Sequence, residues 1–225
     1  NATSDQIADI RTKLGLDAAR YEALIDSDAA LVKYGEPSEY AAVLRGLAYD
    51  PRDFGHRRVF DEKLLTSSLR TAHTAESRSR FQRTRPGTTE GVSRFLRLHP
   101  EGICNTLRAG TASDRGAHTS PRPIHPTRPR VITVREAARL HGYPDWFRFH
   151  STKWHGFRQI GNSVPPPLAR SVAAALLEAD GISPRPGRLL DDERDEVLLT
   201  LNAGGAERHF GLNSRVIPQR DRKVV

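Results

Sequence analysis

The chain has 225 residues, 37% hydrophobic and 28% charged, with one cysteine and a formal net charge of +8. A single cysteine excludes an internal disulfide framework, and the longest apolar run, Val172 to Leu177, falls far short of the roughly 20 residues a membrane-spanning helix needs, so a cytoplasmic protein is expected. The lean apolar content suits a piece that shares hydrophobic surface with another domain, and the charge is concentrated: residues 51–170 carry thirteen more basic than acidic side chains, and arginine supplies 30 of the 35 basic residues. Arginine forms forked hydrogen bonds to phosphates and guanine edges that lysine does not copy, so this middle segment is a candidate for contact with nucleic acid.

Thr3-Ser-Asp-Gln6 can cap a first helix with Ile7, Ile10 and Leu14 on one face and Gly15 as its stop. Ser38 opens a second, short pattern with Tyr40, Val43, Leu44 and Leu47 as the apolar side. Residues 1–50 thus form a helical scaffold segment. From residue 51 to 129 the chain is rich in Arg, Ser, Thr, Gly and Pro, and the short runs Arg94–Leu98 and Cys104–Leu107 predict strands that hold long loops.

Thr133-Val-Arg-Glu136 predicts a capping box: the Thr133 hydroxyl accepts from the amide of residue 136 while the Glu136 carboxylate reaches back to the Thr133 amide. The helix it starts should run about two turns to Gly142, with Ala137, Ala138 and Leu140 as its apolar face. After Gly161-Asn-Ser163, three prolines precede Leu168, Val172, Ala175, Leu176 and Ala179, the stripe of an amphipathic helix that Gly181 and Pro184 end. The tail, 181–225, contains an apolar piece from Glu196 to Leu201 and no evident chemistry. The histidines show no paired spacing with cysteine or carboxylate companions, so no metal site is expected.

Two stretches carry more specific information: Arg130-Val-Ile-Thr-Val-Arg-Glu-Ala-Ala-Arg-Leu-His-Gly-Tyr-Pro-Asp-Trp146, then Phe157-Arg-Gln-Ile-Gly-Asn-Ser-Val-Pro-Pro-Pro-Leu168. Together and in this order they resemble the last two sequence blocks of the bacterial DNA (cytosine-5)-methyltransferases, R-x-x-T-x-R-E-x-x-R-L-x-G-(F/Y)-P-(D/E) and R-Q-x-G-N-S-V-P. Ser93–Pro100, Thr106–Thr111 and Arg122–Pro126 extend the likeness upstream. The resemblance implies a target-recognition region at 51–129 and the two terminal blocks at 130–180. It also implies a mixed α/β fold: a small, loop-rich recognition domain of strands and helices, plus a C-terminal helix that packs on a Rossmann-like domain bearing S-adenosyl-L-methionine.

That family's nucleophilic Pro-Cys dipeptide, its Glu-Asn-Val block and its Gly-rich cofactor turn are absent. Cys104 follows Gly102-Ile103 rather than proline and reads as a small buried hydrophobe. The chain starts at Asn1 and contains no methionine. It is therefore expected to be the C-terminal portion of such an enzyme, a fragment or one subunit of a split enzyme, with no catalytic residue and no activity alone, partnered by a missing N-terminal catalytic domain or subunit. The alternative is a free-standing, non-enzymatic DNA-binding protein. By resemblance, Asn162, Ser163 and Val164 approach the cofactor, and unpaired amides at a helix N-terminus would favour its carboxylate. Capping of that helix by Asn162 and Ser163 would explain the same residues. For reading double-stranded DNA the candidates are Arg108 and Arg115 at guanine edges, with Gly110 and Gly116 admitting close backbone approach; a phosphate contact or a pair with Asp114 would explain either arginine equally. Arg130, Thr133, Arg135 and Glu136 are expected to be structural.

Overall fold

The computed structural model describes residues 30–31, 38–48, 53–60, 64–109, 122–185, 187–190 and 196–212. The helix expected at 3–15 lies outside them, as do Gly110, Arg115 and Gly116. The architecture is mixed α/β and loop-rich. In chain order the elements are β1 (Ala30–Leu31), α1 (Glu39–Leu44), β2 (Arg57–Arg58), β3 (Leu64–Leu65), α2 (Ala75–Arg83), α3 (Val134–Leu140), α4 (Lys153–Asn162), α5 (Pro166–Ala179), β4 (Leu189–Leu190), a 3-10 turn (Glu196–Leu199) and α6 (Ala203–His209). β1 pairs antiparallel with β3, and β2 pairs parallel with β4. Two compact units result, residues 1–192 and 193–225; in the second, the Asn202 side chain caps α6 by accepting from the Gly205 amide at 2.8 Å.

The segment expected to be strands and loops also contains α2. Its local signals are ordinary: Thr74 accepts from the Ser77 amide, Glu76 pairs with Arg80 one turn on, and Phe81 is buried. Beyond it the strands are reduced to single bridges, Thr89 with Leu96, Arg97 with Ile124, and Ile124 with Val131. The expected strand at 94–98 therefore pairs only at Leu96 and Arg97, and 104–107 is irregular. Positive φ at Arg94 (58°) twists the chain away from regular pairing there.

The capping box at α3 forms as read: Glu136 donates its amide to Thr133 Oγ1 at 3.2 Å, and Glu136 Oε2 accepts from the Thr133 amide at 2.8 Å. The helix ends where Gly142 takes φ +80°, which a side chain would resist. Its apolar face differs from expectation. Val134, Ala137 and Ala138 are buried together with Arg135, whereas Leu140 is 46% exposed. The error is one of phase, since Val134 lies one turn before Ala137 and Ala138, and Leu140 points off that stripe.

α4 was not anticipated as a helix. It packs on α3 through Gly156, where an added Cβ would stand 2.8 Å from Val134 Cγ1. Gly156, Phe157 and Ile160 join Leu98, Leu107, Ile132, Val134, Ala137, Ala138 and Phe149 in or against the main core. Burying each large apolar side chain contributes about 1.5–3 kcal/mol. A second cluster, Phe81, Ile124 and Val131 with Phe95 against it, ties α2 to the bridged segments. α5 forms as expected, but none of its residues is buried. No helix among the described residues is long and apolar enough to cross a membrane.

Candidate functional site

Much of the arginine in the basic segment serves the interior. Arg135 is 1% exposed; its guanidinium donates to Thr66 O, Thr66 Oγ1, Pro144 O and Phe147 O, lies 4.0 Å from Asp145, and stacks over the Phe149 ring. Arg97 donates to Phe81 O, Gln82 O and Thr84 O, the carbonyls at the end of α2, and also to Pro126 O. A cation there meets the negative end of the helix dipole. Both side chains count toward the basic excess of the segment yet are committed inside the fold, Arg135 in the structural part expected of it.

Arg130 and Glu136 form a forked pair at 2.8 and 2.7 Å, and Glu136 also closes the α3 capping box. Burial raises the Glu136 carboxyl, but the Arg130 hydrogen bonds and the Thr133 amide outweigh it, so its pKa lies below the usual carboxylate range. Arg139 makes a second fork to the buried Asp145 at 2.9 and 2.6 Å. Asp145 in turn donates its amide to Leu44 O, and Tyr40 donates its hydroxyl to Arg139 O. Thus Arg130, Thr133, Arg135 and Glu136 lie in one polar frame that joins α1, residues 66–67 and the start of α3.

Of the residues nominated for reading DNA, Arg108 is described and its side chain is exposed. It follows the buried anchor Leu107, so the chain leaves the core at that point. The peptide joining Arg108 to Ala109 lies directly on Gly161 of α4. Sequence reasoning gave Gly161 no part in the recognition region, because the two segments are more than fifty residues apart in the chain. Cys104 is half-buried against the main core, and burial raises its thiol pKa, which disfavours the reactive thiolate.

The Asn162-Ser163-Val164 turn differs from the expected helix N-terminus. Asn162 ends α4, and Ser163 caps that helix, donating its hydroxyl to Ile160 O at 2.7 Å. Pro165 is the cap residue of α5 and makes no side-chain cap bond. Capping of α5 by Asn162 or Ser163 is therefore not observed. Pro165, Pro166 and Pro167 have no amide hydrogen, which removes three donors from the place where a carboxylate would look for them. The donors that remain at the turn are the Val164 amide, unpaired among the described residues, and the exposed Asn162 side chain. The turn therefore offers an anion fewer donors than its sequence suggests.

No group of three or more His, Cys, Asp or Glu side chains that could hold a metal ion occurs among the described residues. His125 Nδ1 accepts from the Thr127 and Arg128 amides, holding the 125–130 turn, and its Nε2 lies 3.7 Å from Glu136. Burial lowers its pKa; Glu136 opposes the shift, and Arg130, Arg128 and Arg97 reinforce it.

Residues 48–178 match the family model described as C-5 cytosine-specific DNA methylase. The type II methyltransferase M.XorII of Xanthomonas oryzae pv. oryzae is 59% identical over 209 residues, 92% of this chain and 49% of that protein. A type II methyltransferase of Oceanobacillus iheyensis is 40% identical over 89 residues, 40% of this chain and 18% of its own length. Among solved structures, a DNA modification methyltransferase encoded within a prophage (E. coli) matches with TM-score 0.53 and 34% identity, covering 68% of this chain and 40% of that one. The chain spans about half the length of the Xanthomonas relative. The matched region runs from just after α1 through nearly all of α5 and takes in Arg130, Thr133, Arg135 and Glu136, the Gly161 contact and the Asn162 turn, so the chain belongs to the C-5 cytosine-specific DNA methylases.

Proposed function

We propose that this chain is the C-terminal portion of a DNA (cytosine-5)-methyltransferase, recognising target DNA and completing the S-adenosyl-L-methionine pocket of a catalytic part that it does not contain. Residues 51–129 are the target-recognition region, 130–180 are the hinge and the cofactor-side helix, residues 1–50 are scaffold, and 181–225 carry no assigned role. The observation that carries this reading is α5: a 14-residue amphipathic helix on which Leu168, Val172 and Leu176 are 54%, 53% and 62% exposed. An apolar stripe of this kind needs a partner surface, and a Rossmann-like domain in the other half of the enzyme would supply it.

The cofactor, when bound, supplies the methyl group that is transferred to C5 of cytosine. Asn162, Ser163 and Val164 would border it, with the Val164 amide and the Asn162 side chain holding its carboxylate. Arg108 and Arg115 would face guanine edges, with Gly110 and Gly116 letting the backbone approach the groove. Alone, the chain lacks the family's nucleophile: Pro-Cys is absent, and burial raises the Cys104 thiol pKa, which disfavours the thiolate.

Co-expression with a polypeptide carrying the Pro-Cys and Gly-rich blocks, such as the first half of the Xanthomonas relative, is the test. Methylation of cytosine in the co-expressing cells, and none with either half alone, is expected. DNA binding without restored methylation would point instead to a free-standing DNA-binding protein.

A further inference from the structure

A cleft of about 530 Å³ opens beside the second core cluster, walled by Arg70, Arg78, Arg128 and Arg130 with His73 between them. Its parts come from three places in the chain: the extended segment 70–73, the second turn of α2, and the 125–130 turn. Each is held. Residues 70–73 run straight into the Thr74 cap of α2, and Lys153 reaches from α4 to donate to Arg70 O at 3.4 Å. His73 accepts from the Val131 amide and stacks edge-on against Phe81. The Arg128 amide is tied to His125 Nδ1, and the Arg130 amide donates to Arg128 O.

The charges in this cleft are poorly compensated. Arg130 is paired with Glu136. Arg70, Arg78 and Arg128 are exposed and meet no carboxylate among the described residues. The nearest acidic group on α2, Glu76, is paired with Arg80 on the neighbouring turn. Lys153 and Arg122 add to the positive field: burial first, then Lys153, Arg122 and Arg130, push the His73 pKa down. Several like charges converging on one open cleft repel one another unless an anion occupies it. Its guanidinium groups suit the forked contacts that phosphate oxygens accept.

We propose that this cleft grips the phosphodiester backbone of duplex DNA, with Arg70, Arg78 and Arg128 as sequence-independent phosphate contacts that fix the duplex while the Arg108 loop meets the bases. The inference rests on the reading of the chain as a DNA-recognition part, and it assigns the clamp to residues outside that loop. Phosphate contacts position a duplex and carry no sequence information directly.

The test uses the full chain and measures duplex binding by fluorescence anisotropy across a salt series, on random-sequence DNA. Arg70→Ala/Arg78→Ala/Arg128→Ala is compared with wild type and with a charge-matched control, Arg83→Ala/Arg85→Ala/Arg185→Ala, whose side chains are also exposed. Each lost phosphate contact flattens the slope of log affinity against log salt by roughly 0.9. The cleft variant should therefore lose about 2 to 3 from that slope with an unchanged melting temperature, and the control less than 1. Equal losses in both variants would reduce the effect to net charge and overturn the clamp. So would displacement of the duplex by inorganic phosphate at constant ionic strength in wild type but not in the cleft variant, which would make this a free-phosphate pocket. Failure of the wild-type chain to bind duplex at all would instead sink the recognition reading on which the clamp depends.

Discussion

Gly161 of α4 supports the peptide between Arg108 and Ala109 so closely that a Cβ on it would lie 2.5 Å from the Arg108 carbonyl carbon and 2.6 Å from Ala109 Cα. Backbone on both sides leaves no flexible side chain to move aside. The glycine therefore joins the block bearing the Asn162 turn to the segment that carries Arg108, the residue proposed to read DNA. Gly161→Ala gains up to about 1 kcal/mol of helix propensity but meets an overpacking cost of about 1–3 kcal/mol. A lower melting temperature is expected, together with weaker binding of DNA. A variant that melts at or above the wild-type temperature would show that the contact is not rigid.

Arg135 is the charged group whose loss should cost most. Removing it leaves Thr66 O, Pro144 O and Phe147 O without their buried donor and takes a cation from beside Asp145. Breaking a buried charged network in this way costs about 3–5 kcal/mol. Arg135→Lys should recover little, because one ammonium cannot span acceptors arranged around a fork. Urea unfolding of both variants measures this; a loss under about 1 kcal/mol for Arg135→Met would mean that water replaces the guanidinium.

Acid should weaken the fold in two stages. His73, His125, His141 and His155 have folded pKa values below 6.5, burial being the largest cause for each. The unfolded chain thus takes up protons first, so their contribution is complete above pH 6.5 and is lost as pH falls through the lower folded values. Glu136 and Glu90 are also lowered, from 4.5. In both, hydrogen bonds outweigh the upward push of burial: from Arg130 and the Thr133 amide to Glu136, and from Ser93 and the Val92 amide to Glu90. Their contribution is complete above pH 4.5 and disappears below it. His73→Phe should flatten the upper stage and Glu136→Gln the lower one in melts recorded against pH. A profile without dependence below pH 6.5 would contradict the burial of these histidines.

Leu168→Asp and Val172→Asp separate docking from stability. Both side chains are more than half exposed, so each change should shift the stability of this chain by no more than about 0.5 kcal/mol. Association with the catalytic part, measured by co-purification, should be lost. A large drop in the melting temperature of the chain alone would mean that the α5 stripe is already covered within it.

Arg108→Ala addresses sequence reading. Loss of a bidentate guanine contact costs about 1–3 kcal/mol on the preferred site and less on random duplex. Equal weakening on both would make Arg108 another phosphate contact.

The parts of this fold that were legible in the chain are those specified by neighbours in sequence. Thr133 and Glu136 exchange their bonds within one turn, and the stripe from Leu168 to Leu176 repeats with helical period. What escaped depends on distant partners. Phe157 and Ile160 mark a helix face only once Val134 and Ala138 are set against it, and the Gly161 contact needs Arg108 from another segment. Charge was the most misleading signal. Counting residues cannot distinguish Arg97 and Arg135, committed to buried carbonyls, from Arg70, Arg78 and Arg128, which face an open cleft. The prolines misled for a different reason: Pro165–Pro167 start α5 well but strip its first turn of amide donors, so the same letters that favour a helix there work against an anion site.

α5 has a consequence for assembly. At 14 residues with no buried side chain, it sits at the length where a helix without tertiary support is marginal in water, and Pro167 in its first turn packs on Gly142. On the proposed reading, completion of the helix and capture by a separate catalytic part become one coupled event. Joining the halves should show the thermodynamics of a folding reaction, with a negative heat-capacity change larger than rigid surfaces of the same area would give, and amides near Glu178 should exchange slowly with solvent only after the halves meet.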